Sequence, residues 1–129
     1  MRAIDDLPRF ACPDWWERIQ AGQVPMADVP VNAALAAKAK AFFGRLRLPD
    51  VPGNPPMSEA CGEWFIDILC AFLASEDPET LQPLVWELLC MVPKKNSKTT
   101  YVAGLALTAL YVIDVPNRQM LLVGPSQNI

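Results

Sequence analysis

The chain of 129 residues has room for about one domain, and with 52% of its residues apolar and 19% charged it reads as globular, not disordered or fibrous. A net charge of −3 argues against a general nucleic-acid sleeve, because such binding requires many phosphates to be neutralised. Histidine is absent and the four cysteines, Cys12, Cys61, Cys70 and Cys90, form no C-x-x-C pair, which leaves little room for a zinc site and none for a histidine-based triad.

Met1 to Phe10 mixes Arg2 with Asp5, Asp6 and Pro8 and has no apolar stretch of signal-peptide length, so a cytoplasmic protein is expected. Trp15 to Gln20 follows Pro13-Asp14 and precedes Gly22, which predicts a short helix with Asp14 as N-cap and Gly22 as stop. Its adjacent Trp15 and Trp16 cannot share one helix face and are expected to pack against the rest of the domain. A second helix is predicted over Ala33–Phe43, capped by Asn32 and ending at Gly44. Lys38, Lys40, Arg45 and Arg47 near its end read as a solvated basic face. Leu48 to Met57, with four prolines, Gly53 and Asn54, reads as an extended linker, which divides the chain into a proline-rich helical segment, 1–57, and a second part, 58–129.

The second part opens with the strongest helical pattern. From Ser58 onward, Cys61, Trp64, Phe65, Ile68, Leu69, Phe72 and Leu73 recur at three- and four-residue steps and mark one core-facing stripe. Each cysteine lies in or beside an apolar segment, as expected of a small buried hydrophobe. Leu84 to Val92 is a nearly continuous apolar run ended by Pro93, which fits a strand buried on both faces, although a short buried helix has the same pattern. Tyr101–Ile113 predicts a helix, too short to span a bilayer, and Gln119–Gly124 predicts a second buried strand. The expected fold is therefore α/β, with N-terminal helices followed by one right-handed β-α-β crossover of a parallel sheet, an incomplete phosphate-loop domain.

Between the first predicted strand and its helix lies Val92-Pro93-Lys94-Lys95-Asn96-Ser97-Lys98-Thr99. A phosphate-binding loop needs converging backbone N–H groups at a helix N-terminus, a lysine for the outer phosphates and a hydroxyl for Mg2+. The usual G-x-x-x-x-G-K-[ST] spacing is kept, with Lys98 at the lysine and Thr99 at the metal-side hydroxyl, but Val92 and Ser97 replace the glycines. Thr100 follows in the first helical turn. Taken by itself, the same loop also suits a solvated turn capped by Asn96 or Ser97.

The stretch Trp64 to Gln127 resembles the start of the ATPase domain of phage terminase large subunits, the motors that package double-stranded DNA. That family writes its loop as Pro-Arg/Lys-Lys-Asn-Gly-Lys-Ser/Thr without the first glycine, similar to Pro93 through Thr99 here. It also sets a Trp-containing amphipathic helix before the loop, as in Glu63 to Leu69. An Ala/Leu-rich helix follows, as in Ala103 to Leu107, and then a strand leading to a glutamine, here Gln127. The resemblance implies ATP and Mg2+ as ligands, Lys98 as the catalytic phosphate lysine, and Lys94, Lys95, Asn96, Ser97, Thr99 and Thr100 as nucleotide contacts, with Thr99 also serving the metal.

It further implies double-stranded DNA as cargo, held by parts outside this chain, a small terminase subunit and a portal as partners, a homo-oligomer at full length, no membrane and the host cytoplasm as location. Neither the acidic pair of a Walker B strand nor a nuclease carboxylate cluster can be placed: Asp5-Asp6 and Glu76-Asp77 end no apolar strand after the loop. The chain by itself is therefore expected to bind nucleotide weakly and to hydrolyse little. Two other readings fit the residues: another phosphate-loop enzyme of kinase or helicase type, and a prophage-derived helical interaction module in which the lysine loop is only a surface turn.

Overall fold

Three helices close on one another through apolar stripes that are each spaced at helical steps. The structure, a computed structural model, describes residues 12–26, 28–93, 95, 97–117, 119–121 and 123. Among these the helices are α1 Trp15–Gln20, α2 Ala33–Arg45, α3 Met57–Ala60, α4 Glu63–Ala74 and α5 Lys98–Val112. The core is shared by Ala39 and Phe43 of α2, Phe65, Leu69 and Leu73 of α4, and Tyr101, Leu105, Ala109 and Val112 of α5, joined by Leu48 and Met57. Phe43 and Phe65 are fully buried, with ring centroids 5.8 Å apart, and Tyr101 lies 5.2 Å from Phe65.

The local start and stop signals act as their chemistry dictates. The backbone N–H of Leu35 donates to Asn32 Oδ1 at 3.1 Å, capping α2. Asn32 also donates through Nδ2 to Glu76 at 2.7 Å, tying the start of α2 to the segment after α4. Gly22 stands at φ 73°, the left-handed geometry that glycine adopts freely after a helix. Asp14 is at the N-cap of α1 but makes no capping bond: its carboxylate accepts from Arg18 Nε at 2.9 Å, and Arg18 also donates to Asp28 at 2.8 Å. Trp15 and Trp16 are about half exposed and stack edge-on against each other at 5.7 Å, so they do not pack into the core.

Two features of the middle of the chain differ from expectation. The helix read as one from Ser58 is two, because Cys61 and Gly62 adopt extended backbone between α3 and α4. A Cβ on Gly62 would lie 2.5 Å from the Trp64 indole nitrogen, so the close approach of that ring requires glycine. The proline-rich stretch is a closed loop, not an extended linker: Leu48 N–H donates to Pro55 O at 3.0 Å and Met57 N–H to Leu46 O at 2.7 Å. Gly53 and Asn54 turn it with positive φ, and Leu48 and Met57 are buried at its neck.

The expected β-α-β unit is not found among the described residues. Among the described residues there is no strand, only three isolated antiparallel bridges, so the α/β assignment is replaced by a helical fold. In the run Leu84–Val92, Trp86, Leu89 and Met91 are 74–83% exposed, and in the second run Leu121 and Val123 are 86% and 83% exposed. The physical reason is that a buried parallel strand needs ladder partners and a cover on each face, and two strands alone are marginal. Among the described residues neither run finds a ladder partner, and neither belongs to the core that α2, α4 and α5 build from their stripes. No helix among the described residues is long and apolar enough to cross a membrane.

Ser75, at the C-cap of α4, is 3% exposed and its hydroxyl has no hydrogen-bond partner among the described residues. A buried unsatisfied hydroxyl costs about 1–3 kcal/mol. Ser75→Ala is therefore expected to stabilise the chain by about 1 kcal/mol, read as a higher urea midpoint; a lower one would show that the hydroxyl is satisfied.

Candidate functional site

The lysine loop leads directly into α5, the longest helix. Of its predicted residues, Lys94 and Asn96 lie outside the described residues, as does Gln127. Lys95 and Ser97 are exposed and both left-handed, at φ 69° and φ 56°. Such backbone costs a residue with a side chain about 1 kcal/mol or more. Ser97 thus holds the conformation that a glycine at the second motif position would hold without strain, which the residue type alone did not reveal.

Lys98 and Thr99 are exposed on the first turn of α5, and Thr100 is half-buried beside them. Ser97 occupies the N-cap position, yet its side chain does not cap the helix. The N–H groups of the first turn then carry the positive end of the helix dipole next to the Lys95 and Lys98 cations. This arrangement suits an anion. The first helical bond, Tyr101 N–H to Ser97 O at 2.9 Å, sets where the turn begins.

Tyr101 anchors this end of α5. Its ring is buried between Phe65 and Trp64, and its hydroxyl donates to the Ala60 carbonyl at 3.3 Å. Burial pushes the Tyr101 phenol upward and the nearby Cys61 thiol up to about 11. Both stay protonated near neutral pH, so neither adds negative charge beside the loop or acts as a thiolate nucleophile. The four cysteines are free and half-buried, consistent with packing roles.

Behind Lys98 and Thr99 an apolar cleft of about 620 Å³ runs along α5, lined by Val102, Ala106 and Leu110 and edged by Cys90 and Met120. It places the lysine loop at the mouth of an apolar surface, a juxtaposition that only the folded chain shows. A second cavity of about 600 Å³, between the α1–α2 loop and α4, is lined by Arg18, Asp28, Glu63, Trp64 and Asp67. Arg18 is already paired there with Asp28. Among the described residues no group of His, Cys, Asp or Glu converges as a metal site. No protein-family model, curated protein or solved structure matches the chain.

Proposed function

We propose that the loop before α5 binds nucleotide phosphates, and that the chain acts as the ATP-binding front part of a terminase-like packaging motor. The observation that carries this reading is the pair of left-handed residues, Lys95 and Ser97, feeding a long helix whose first turn exposes Lys98 and Thr99. The likeness of Pro93 through Thr99 to the terminase loop supports the identity of the motor. That support comes from the loop-and-helix half of the pattern alone, since the described residues of the flanking segments form no sheet.

In this reading Lys98 meets the outer phosphates and the N–H groups of the first turn face the others. Mg2+ takes oxygen donors and usually keeps several waters, so the exposed Thr99 hydroxyl together with nucleotide phosphates is a fitting donor set. Double-stranded DNA, a small subunit and a portal are partners of the motor as a whole and rest on the resemblance.

The test is a titration with Mg·ATP. A charge-assisted contact to phosphate contributes about 1.5–3 kcal/mol, so Lys98→Ala is expected to weaken binding roughly 10- to 100-fold. Ser97→Gly should relieve the left-handed strain and tighten it. Equal binding by wild type and Lys98→Ala would overturn the assignment.

The helical core favours a second reading, an interaction module whose lysine loop is a surface turn. A chain that melts cooperatively yet binds no nucleotide would decide for it.

A further inference from the structure

Charge is unevenly placed along the chain. The net charge is −3, yet α2 and α5, which pack on each other, contain no acidic residue. On α2, Lys38, Phe42 and Arg45 follow one another at steps of four and three and so share one stripe of the helix. Lys38 and Arg45 are exposed, and among the described residues neither holds an ion pair. Lys40 and Arg47 stand apart from this stripe: Lys40 lines a small cavity with Glu63 and Asp67 of α4, and Arg47 donates to the Asn54 carbonyl at 3.0 Å.

Phe42, between the two cations, backs an aromatic platform. Tyr111 of α5 stacks on it with ring centroids 5.4 Å apart and planes 23° from parallel. Phe42 is packed against the core, which fixes it, while Tyr111 remains 71% exposed. One face of the tyrosine ring is therefore held by the protein and the other is open to solvent. Asp114, the nearest acid in sequence, lies beyond the end of α5.

We infer that this surface of α2 and α5 binds single-stranded nucleic acid, with one base stacked on the open face of Tyr111 and backbone phosphates on Lys38 and Arg45. Seven residues set the two cations about 10 Å apart along the helix, so their charge lies along a line, as the charge of a strand does. Bases stack on an aromatic side chain whatever their sequence, provided that their faces are free, and a duplex hides those faces in its own stack. The same two cations repel a basic peptide. The patch is local, so it is compatible with a net negative chain. It uses no residue of the lysine loop and stands whether or not that loop binds nucleotide.

Fluorescence anisotropy of a labelled twelve-residue oligothymidylate, titrated with the whole chain at low salt without ATP or Mg2+, tests this. Binding with a dissociation constant of about 10–100 μM is expected. Tyr111→Ala should weaken it roughly tenfold, whereas Tyr111→Phe keeps the ring and should bind as wild type. Lys38→Ala and Arg45→Ala should each lower the slope of log affinity against log salt by about 0.7, the value for one phosphate of a single strand. Lys40→Ala, on the other side of α2, should leave affinity and slope unchanged. Far-UV circular dichroism checks that each variant keeps its helices. A wild-type chain that binds no oligonucleotide, or a Tyr111→Ala chain that binds as tightly as wild type, would overturn the proposal. So would equal affinity for a duplex of the same length, for AMP or for polyglutamate, since these would mean charge alone, a mononucleotide site or an acidic-peptide surface.

Discussion

Phe65→Ala is expected to lower stability by about 3–5 kcal/mol, the range for truncating a buried aromatic ring. Phe65 is fully buried and meets an aromatic ring from each of the three main helices: Phe43 of α2 at 5.8 Å, Trp64 of α4 at 5.6 Å and Tyr101 of α5 at 5.2 Å, centroid to centroid. Removing the ring deletes its own burial and leaves a cavity that three helices would have to collapse into. A domain of this size has about 5–15 kcal/mol in total, so the loss is a large fraction of it. The melting temperature should fall by roughly 10–20 °C. The lysine loop should loosen as well, because Tyr101 holds the start of α5 against this ring. A fall of only a few degrees would mean that the helices do not share this core.

Gly104→Val is expected to destabilise by about 1–3 kcal/mol, although a glycine inside a helix normally costs about 1 kcal/mol relative to alanine. A Cβ at position 104 would lie 2.8 Å from Cε2 of Phe43 and 3.3 Å from its Cδ2. Phe43 is fully buried and wedged against Phe65, so its ring has no free space to swing into. The glycine thus sets how closely α2 and α5 approach. Thr108 below it is also fully buried and donates its hydroxyl to the Gly104 carbonyl at 2.8 Å, fixing the same turn. Chemical denaturation of Gly104→Val beside Gly53→Val separates packing from backbone strain: nothing lies within 4 Å of a Cβ at Gly53, where only its φ of 85° resists substitution. A Gly104→Val chain as stable as wild type would show that the two helices can move apart at no cost.

The candidate site was legible in part. The spacing that brings Lys98 and Thr99 to the first turn of a helix is a local property, and α5 begins at Lys98. The left-handed backbone of Lys95 and Ser97 was not legible, because neither residue type favours φ above zero. The apolar cleft beside the lysines was also hidden: Cys90 and Met120 reach it from segments that flank α5 in sequence, and only folding brings them to one surface.

Taken alone, the sequence determined what depends on neighbours within a turn or two: the Asn32 cap, the Gly22 stop, and the three- and four-residue stripe of Phe65, Ile68, Leu69 and Leu73 that turns α4 inward. Only the tertiary structure decided what depends on distant partners. The runs Leu84–Val92 and Gln119–Gly124 have the composition of buried strands, but a strand is completed by a ladder to residues far along the chain. The described residues of those runs find no such ladder and stand outside the core of α2, α4 and α5, with Trp86, Leu89, Met91, Leu121 and Val123 exposed. Helices close their hydrogen bonds within their own sequence, whereas sheets close theirs elsewhere, and that difference is why the helices could be read in advance while the expected strands were not found.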